Sequence, residues 1–212
     1  MAKLTLKQRY KHIIDWFLEN KGVQETELAY ENDFQLLVAV ILSAQCTDKR
    51  VNIVTPTLFA KYPDARSMAK ASYEEVFEQI KSISYPNSKS RYLVDMSRSL
   101  IEDFGGRVPE STDEMQRLAG VGRKTANVVA SVLYSQPKMA VDTHVFRVAR
   151  RLGLSKGKNP LQVETDLTNN IPKKYISIAH QWLILHGRYV CQARKPKCEE
   201  CGVSRWCEHF GN

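Results

Sequence analysis

The sequence has no long apolar run, no stretch of alternating polar and apolar residues, and few cysteines. Its start, Met-Ala-Lys-Leu-Thr-Leu-Lys-Gln-Arg, lacks the apolar centre of a secretion signal, so export is not expected. The most apolar stretch, Leu36 to Leu42, falls far short of the roughly 20 residues that span a bilayer. It reads as a buried helix, and no membrane partner is expected. Without alternation there is no basis for a sheet. Internal repeats and low-complexity segments are absent as well. Five cysteines in 212 residues are too few for a scaffold stapled by disulfides.

What is present is ordinary globular material: 43% hydrophobic and 25% charged residues, enough for one large domain or two small ones. Lys and Arg number 31 against 23 Asp and Glu, a formal charge of +8. A polyanionic partner fits that balance, and so does plain solubility. The excess is uneven: residues 1–100 carry 14 basic and 12 acidic side chains, residues 101–212 carry 17 and 11.

Helical spacing dominates. Tyr10, Ile13, Ile14, Phe17 and Leu18 mark one face of a first helix that Gly22 can terminate. Asp33 is the expected cap of a second helix carrying Phe34, Leu37, Val40 and Ile41. Further helices are predicted near 49–60, 72–82, 87–104, 111–118, 123–135, 143–152, 160–169 and 175–188. Breakers such as Tyr62-Pro63-Asp64, Tyr85-Pro86-Asn87 and Gly105-Gly106 separate them. The fold class is all-α, with roughly ten helices and short loops.

Three segments carry chemistry. The first is a helical hairpin over 111–130, in which Gly120-Val121-Gly122 joins a short helix ending at Leu118 to one starting near Arg123. Two glycines permit positive φ and close backbone approach. The unpaired N–H groups of the second helix's first turn make an anion site suited to a DNA phosphate of any sequence. Arg rather than Gly precedes Lys124 and no strand leads in, so a nucleotide phosphate loop is rejected. Lys124 sits in a first turn beside Arg123, where macrodipole and like charge both favour a neutral amine, the form a nucleophile needs. A solvated or phosphate-binding lysine is the plainer alternative.

The second segment is Ala140-Val-Asp-Thr-His144, which places Asp142 just ahead of an amphipathic helix. Asp142 is a good helix cap. The same carboxylate can stabilise positive charge developing on a sugar or relay a proton. His144 is a candidate phosphate or base contact.

The third is Cys191-x6-Cys198-x2-Cys201-x5-Cys207. Four thiols so close in a chain without an export signal read as a metal site, either zinc or a 4Fe–4S cluster. Arg194, Lys195 and Lys197 lie between the first two cysteines and give that loop a basic surface.

The hairpin Leu118-Ala-Gly-Val-Gly-Arg-Lys124, the segment Val141-Asp-Thr-His-Val-Phe-Arg147 and the four-cysteine loop together resemble the endonuclease III family. These are DNA glycosylases with AP lyase activity, of the helix-hairpin-helix superfamily. Leu42-Ser-Ala-Gln-Cys-Thr-Asp48 and His180-Gln-Trp-Leu-Ile-Leu-His-Gly-Arg-Tyr189 extend the similarity over nearly the whole chain.

The resemblance implies a two-domain helix-hairpin-helix glycosylase fold with a C-terminal 4Fe–4S loop. A central domain over 26–136 would end in the hairpin. Residues 1–25 plus 137–212 would form the iron–sulfur domain, with Cys191, Cys198, Cys201 and Cys207 as ligands. The cluster would bring the net charge nearer roughly +6.

By the same resemblance the partner is double-stranded DNA carrying damaged pyrimidines or abasic sites. Lys124 is the Schiff-base nucleophile and Asp142 its electrostatic and proton-transfer partner. DNA contacts fall to Gln45, which fills the vacated stack, to Tyr85, Gly120, Gly122, Arg123 and His144, and to Arg194 and Lys195. A monomeric, cytoplasmic, nucleoid-associated bacterial enzyme is expected. Two departures stand out: Tyr85-Pro86 occupies the wedge loop where an aliphatic residue is usual, and Ala119 replaces the hairpin's usual proline. Pro86 is expected to hold Tyr85 in extended backbone. The related adenine-mismatch enzymes usually have Ser at the lysine position and Glu near position 39, where this chain has Lys124 and Ala39.

Overall fold

The computed structural model of the protein describes residues 4–210. Among them there are helices and turns and no strand. The chain divides into two compact units, Thr26–Tyr134 and a second one joining the residues up to Glu25 to those from Ser135 onward. Among the described residues no helix is long and apolar enough to cross a membrane.

The unit over Thr26–Tyr134 is built on α2 (Asp33–Ser43), in which every residue from Phe34 to Leu42 is buried. Its cap is Asn32, not Asp33: the Asn32 side chain accepts from Gln35 N at 3.0 Å, and Asp33 becomes the first helical residue. Both side chains suit a first turn, one as a cap and one as an anion at the positive end of the helix. α3 (Asp48–Lys61), α6 (Pro86–Phe104) and α8 (Arg123–Tyr134) pack against α2, while α5 (Tyr73–Ile80) packs on α3 and α6, and α7 (Thr112–Met115) on α8.

One short helix, α4 (Ala65–Ala69), falls where the sequence suggests only a breaker; Asp64 and Ser67 open it with a reciprocal capping box. The helix expected over 111–118 ends at Met115. Arg117 and Leu118 bond back three residues, to Glu114 and Met115, so the chain tightens before the glycine turn.

The other unit begins with α1 (Leu6–Lys21), opened by a Thr5–Gln8 capping box and closed by Gly22 at φ 56°. It continues with α9 (Thr143–Leu152), α10 (Pro160–Asn170) and α11 (Ile176–Tyr189), and short 3₁₀ turns at Lys173–Tyr175 and Ser204–Trp206. Tyr10, Ile13, Ile14 and Phe17 of α1 join Val145, Val148 and Trp182 in its core. Arg9 is buried with them; its guanidinium reaches Glu208 at 2.7 Å, Trp206 O at 3.0 Å and Gly153 O at 3.3 Å. This arginine fastens the chain's first helix to its last turns.

Candidate nucleic-acid and iron–sulfur sites

The hairpin glycines have separate jobs. Gly120 takes φ +77°, and a Cβ there would lie 2.9 Å from Cβ and Cγ of Tyr92 on α6. Only glycine fits that turn. Gly122 needs no left-handed backbone, and a Cβ on it would meet nothing within 4 Å. Its missing side chain keeps the outer surface of the turn bare. Val121 N donates to Leu118 O at 3.1 Å, and Ala126 N to Gly122 O at 2.9 Å as α8 begins. Arg123 and Lys124 are the first two residues of α8, both exposed. The first-turn N–H groups of such a helix, with Arg123 and Lys124 beside a bare turn, form a surface fit for a phosphate.

Two loops of the same unit hold unusual backbone. Gln45 follows the end of α2 with φ 54°, and Tyr85 precedes α6 with φ 58° and ψ 50°. Both side chains are exposed, Tyr85 to 61%. The expectation of extended backbone at Tyr85 is therefore wrong. Pro86 excludes the right-handed region for the residue before it, and the backbone takes the left-handed alternative, with Tyr85 O accepting from Lys89 N at 3.1 Å. At that exposure the Tyr85 ring does not pack internally. Left-handed backbone in a non-glycine residue costs about 1–2 kcal/mol, so two exposed cases in one unit call for a use.

In the other unit Asp142 caps α9. Its Oδ1 accepts from His144 N and Val145 N, both at 2.8 Å, and Oδ2 takes no part in the cap. The carboxylate is half-buried, so capping leaves one oxygen for other work. His144 follows on the same turn. Arg147 Nη2 lies 3.2 Å from His144 Nδ1; a guanidinium only donates, so Nδ1 accepts and Nε2 is left as the ring's donor. The same arginine donates to Gly187 O at 2.8 Å and to Cys191 O at 3.1 Å. Gly187 admits this arrangement, since a Cβ there would sit 2.8 Å from His144 Cβ.

The four cysteines line a single pocket with Leu152, His186 and Val190. Arg151, in the last turn of α9, organises their loop. Its guanidinium donates to Gln192 O at 2.7 Å and Ala193 O at 2.9 Å and points at Cys191 Sγ from 3.7 Å. Its carbonyl accepts from Cys207 Sγ at 3.1 Å. Burial first, and the neighbouring cysteines besides, push the Cys201 and Cys207 thiols above their ordinary range. A cationic core offsets that by stabilising thiolates.

Four thiols facing one pocket are the donor set of an iron–sulfur core, in which each iron takes one thiolate. Arg194, Lys195 and Lys197 are exposed on the same loop.

Gln45, Tyr85, Gly120, Gly122, Arg123 and Lys124 thus belong to one unit, and Asp142, His144, Arg194, Lys195 and the four cysteines to the other. Arg147, Arg151 and Gly187 escape sequence reasoning. The basic residues in α9 hint at them only as charge, since their partners lie about 40 residues away in the chain.

Comparison with known proteins agrees with this chemistry. Residues 38–173 match the model of the HhH-GPD superfamily base excision DNA repair proteins, and residues 191–207 that of the iron–sulfur binding domain of endonuclease III. Endonuclease III of Rickettsia conorii is 48% identical over 200 residues, covering 94% of this chain and 95% of the relative. That of Escherichia coli is 42% identical over 203 residues, 96% of each chain. The structure of a trapped endonuclease III–DNA covalent intermediate superposes with a TM-score of 0.92 at 42% identity, covering 98% of both chains. A thermostable thymine-DNA glycosylase, at 24% identity and a TM-score of 0.84, shares the fold. The all-α helix-hairpin-helix expectation and the iron–sulfur expectation both stand, and the chain belongs to the endonuclease III family of the HhH-GPD superfamily of base excision DNA repair proteins.

Proposed function

We propose that this protein is a DNA N-glycosylase with AP lyase activity that removes oxidised pyrimidines from duplex DNA and then cleaves the strand. The observation that carries the reading is an exposed lysine at the second position of α8, directly behind a bare glycine turn, in a chain of this family. The hairpin would hold a backbone phosphate while the damaged nucleotide is turned out of the duplex, at an unstacking cost of a few kcal/mol. Gln45 and Tyr85, exposed on their loops, would enter the space left behind and the opposite strand. His144, Arg194 and Lys195 would meet phosphates.

In the reaction, the Lys124 amine attacks C1′ of the extruded nucleotide. The C1′–N bond breaks, and the base leaves with the electron pair and takes up a proton. Positive charge grows on the sugar as the bond stretches, and the Asp142 carboxylate, half-buried and fixed by its cap, would stabilise it. The ring then opens: the C1′–O4′ bond breaks, O4′ keeps the electron pair and takes up a proton, and a protonated Schiff base is left between Lys124 and C1′. That cation acidifies C2′; a base removes its proton, the C3′–O bond breaks, and the 3′ phosphate departs by β-elimination.

Cys191, Cys198, Cys201 and Cys207 would hold a 4Fe–4S cluster that orders the basic loop and has no part in these steps. The two compact units serve as the two domains. A monomer associated with the nucleoid belongs to the same reading, supported by the +8 charge and its concentration in the second half of the chain.

Borohydride trapping on abasic-site duplex tests the assignment, alongside a cleavage screen over oxidised pyrimidines, uracil and mismatches. Wild-type protein is expected to form a covalent adduct that Lys124→Gln does not form. An adduct of equal yield in Lys124→Gln would overturn the role given to this lysine.

A further inference from the structure

Lys89, the fourth residue of α6, is only 4% exposed, and no carboxylate pairs with it among the described residues. Its ammonium instead donates to two backbone carbonyls, Leu42 O at 2.8 Å and Ala44 O at 2.7 Å. These belong to the last turn and the cap of α2, where a helix leaves carbonyls unsatisfied and its dipole is negative. Ala44 is the residue immediately before Gln45. The backbone N–H of Lys89 meanwhile donates to the carbonyl of Tyr85 at 3.1 Å. One residue therefore grips the chain beside both exposed left-handed residues, with its side chain on one loop and its main chain on the other. Burial pulls the Lys89 amine below its ordinary range, opposed by nearby Cys46. A methionine would fill the same space without that penalty, so packing alone does not call for a lysine.

We infer that Lys89 is a positioning residue that holds the Gln45 and Tyr85 loops in fixed relation, so that both side chains enter the duplex as one rigid element. The inference rests on the proposed reading that these two side chains enter DNA. In its absence the α2 cap carbonyls lose their donor, and the Gln45 turn relaxes from its left-handed conformation independently of Tyr85. Duplex opening then suffers, while the hairpin and Lys124 are untouched.

The test is Lys89→Met in the complete, cluster-loaded protein on two substrates. One is single-turnover excision of an oxidised pyrimidine from duplex. The other is borohydride trapping on a single-stranded abasic oligonucleotide, which needs no opening. Duplex excision is expected to fall at least tenfold and single-strand trapping to stay within twofold. In a Gln45→Ala/Tyr85→Ala background the same change is expected to cost nothing further. Equal falls on both substrates would mean a general folding defect and overturn the inference. So would a wild-type duplex rate in Lys89→Met beside slow Gln45→Ala and Tyr85→Ala proteins. Full duplex excision by those two variants would instead remove the reading beneath it, and the inference too.

Discussion

Asp142 has two roles that one pair of substitutions can separate. As a cap it receives two bonds at 2.8 Å on a single oxygen. Replacing an aspartate cap by alanine typically costs about 1 kcal/mol and up to about 2. Losing a carboxylate from a helix N-terminus adds roughly 0.3–1 kcal/mol. Asp142→Ala is therefore expected to lose about 2 kcal/mol, and with roughly 2–4 °C per kcal/mol for a chain of this length its Tm should fall by about 4–8 °C. Asparagine caps as well as aspartate, so Asp142→Asn forfeits only the charge contribution and should melt within about 4 °C of wild type.

Activity should divide differently. A preorganised group that stabilises transition-state charge is commonly worth about 10²–10³ in rate, and asparagine cannot supply that charge. Asp142→Asn is expected to be well folded and slower by about that factor in single-turnover excision. Circular dichroism melting and quenched-flow cleavage of the same preparations make the measurement. A wild-type rate in Asp142→Asn would reduce Asp142 to a cap. A wild-type Tm in Asp142→Ala would mean the cap contributes nothing, and that the geometry has been misread.

Two further predictions follow from particular contacts. Gly120→Ala forces a left-handed alanine into the Tyr92 ring at 2.9 Å and should cost about 2–3 kcal/mol in chemical denaturation. Gly122→Ala meets nothing and should leave stability within about 0.5 kcal/mol, while its methyl on the bare turn weakens duplex binding about tenfold at fixed salt; the opposite pattern would refute the division of labour between the two glycines. Tyr10 donates to Leu154 O at 2.7 Å and Asp166 O at 3.3 Å, and burial, aided by Asp166, holds its phenol well above the ordinary tyrosine value. Tyr10→Phe should lose about 1–3 kcal/mol at pH 8. Because the folded-state value is raised, the stability tied to this proton is complete below about pH 10 and is lost as pH rises above it. Urea midpoints from pH 8 to 11 should fall less steeply in Tyr10→Phe than in wild type, and parallel slopes would refute the assignment.

Local signals made much of the molecule legible in advance. Apolar spacing located most of the helices, because helix formation depends on neighbours three and four residues away. Cap chemistry at Asp142 and Gly22, the glycine turn of the hairpin and the four-cysteine spacing are likewise short-range. The misreadings are where local rules left two answers. Asn32 and Asp33 are both good caps. Pro86 forbids one backbone region for Tyr85 without choosing between the others. Asp64 reads as a loop residue and also opens α4.

By itself the sequence determined the helical class, the hairpin around Lys124, the cap at Asp142 and the thiolate set, since each is written within about twenty consecutive residues. Only the tertiary structure decided what supports them. Lys89 meets the end of α2 across 45 and 47 residues of chain, Arg147 reaches Gly187 across 40, and Arg151 reaches Gln192 across 41. A buried cation bonded to carbonyls carries no sequence pattern, because every residue offers a carbonyl and only packing brings the right one within reach.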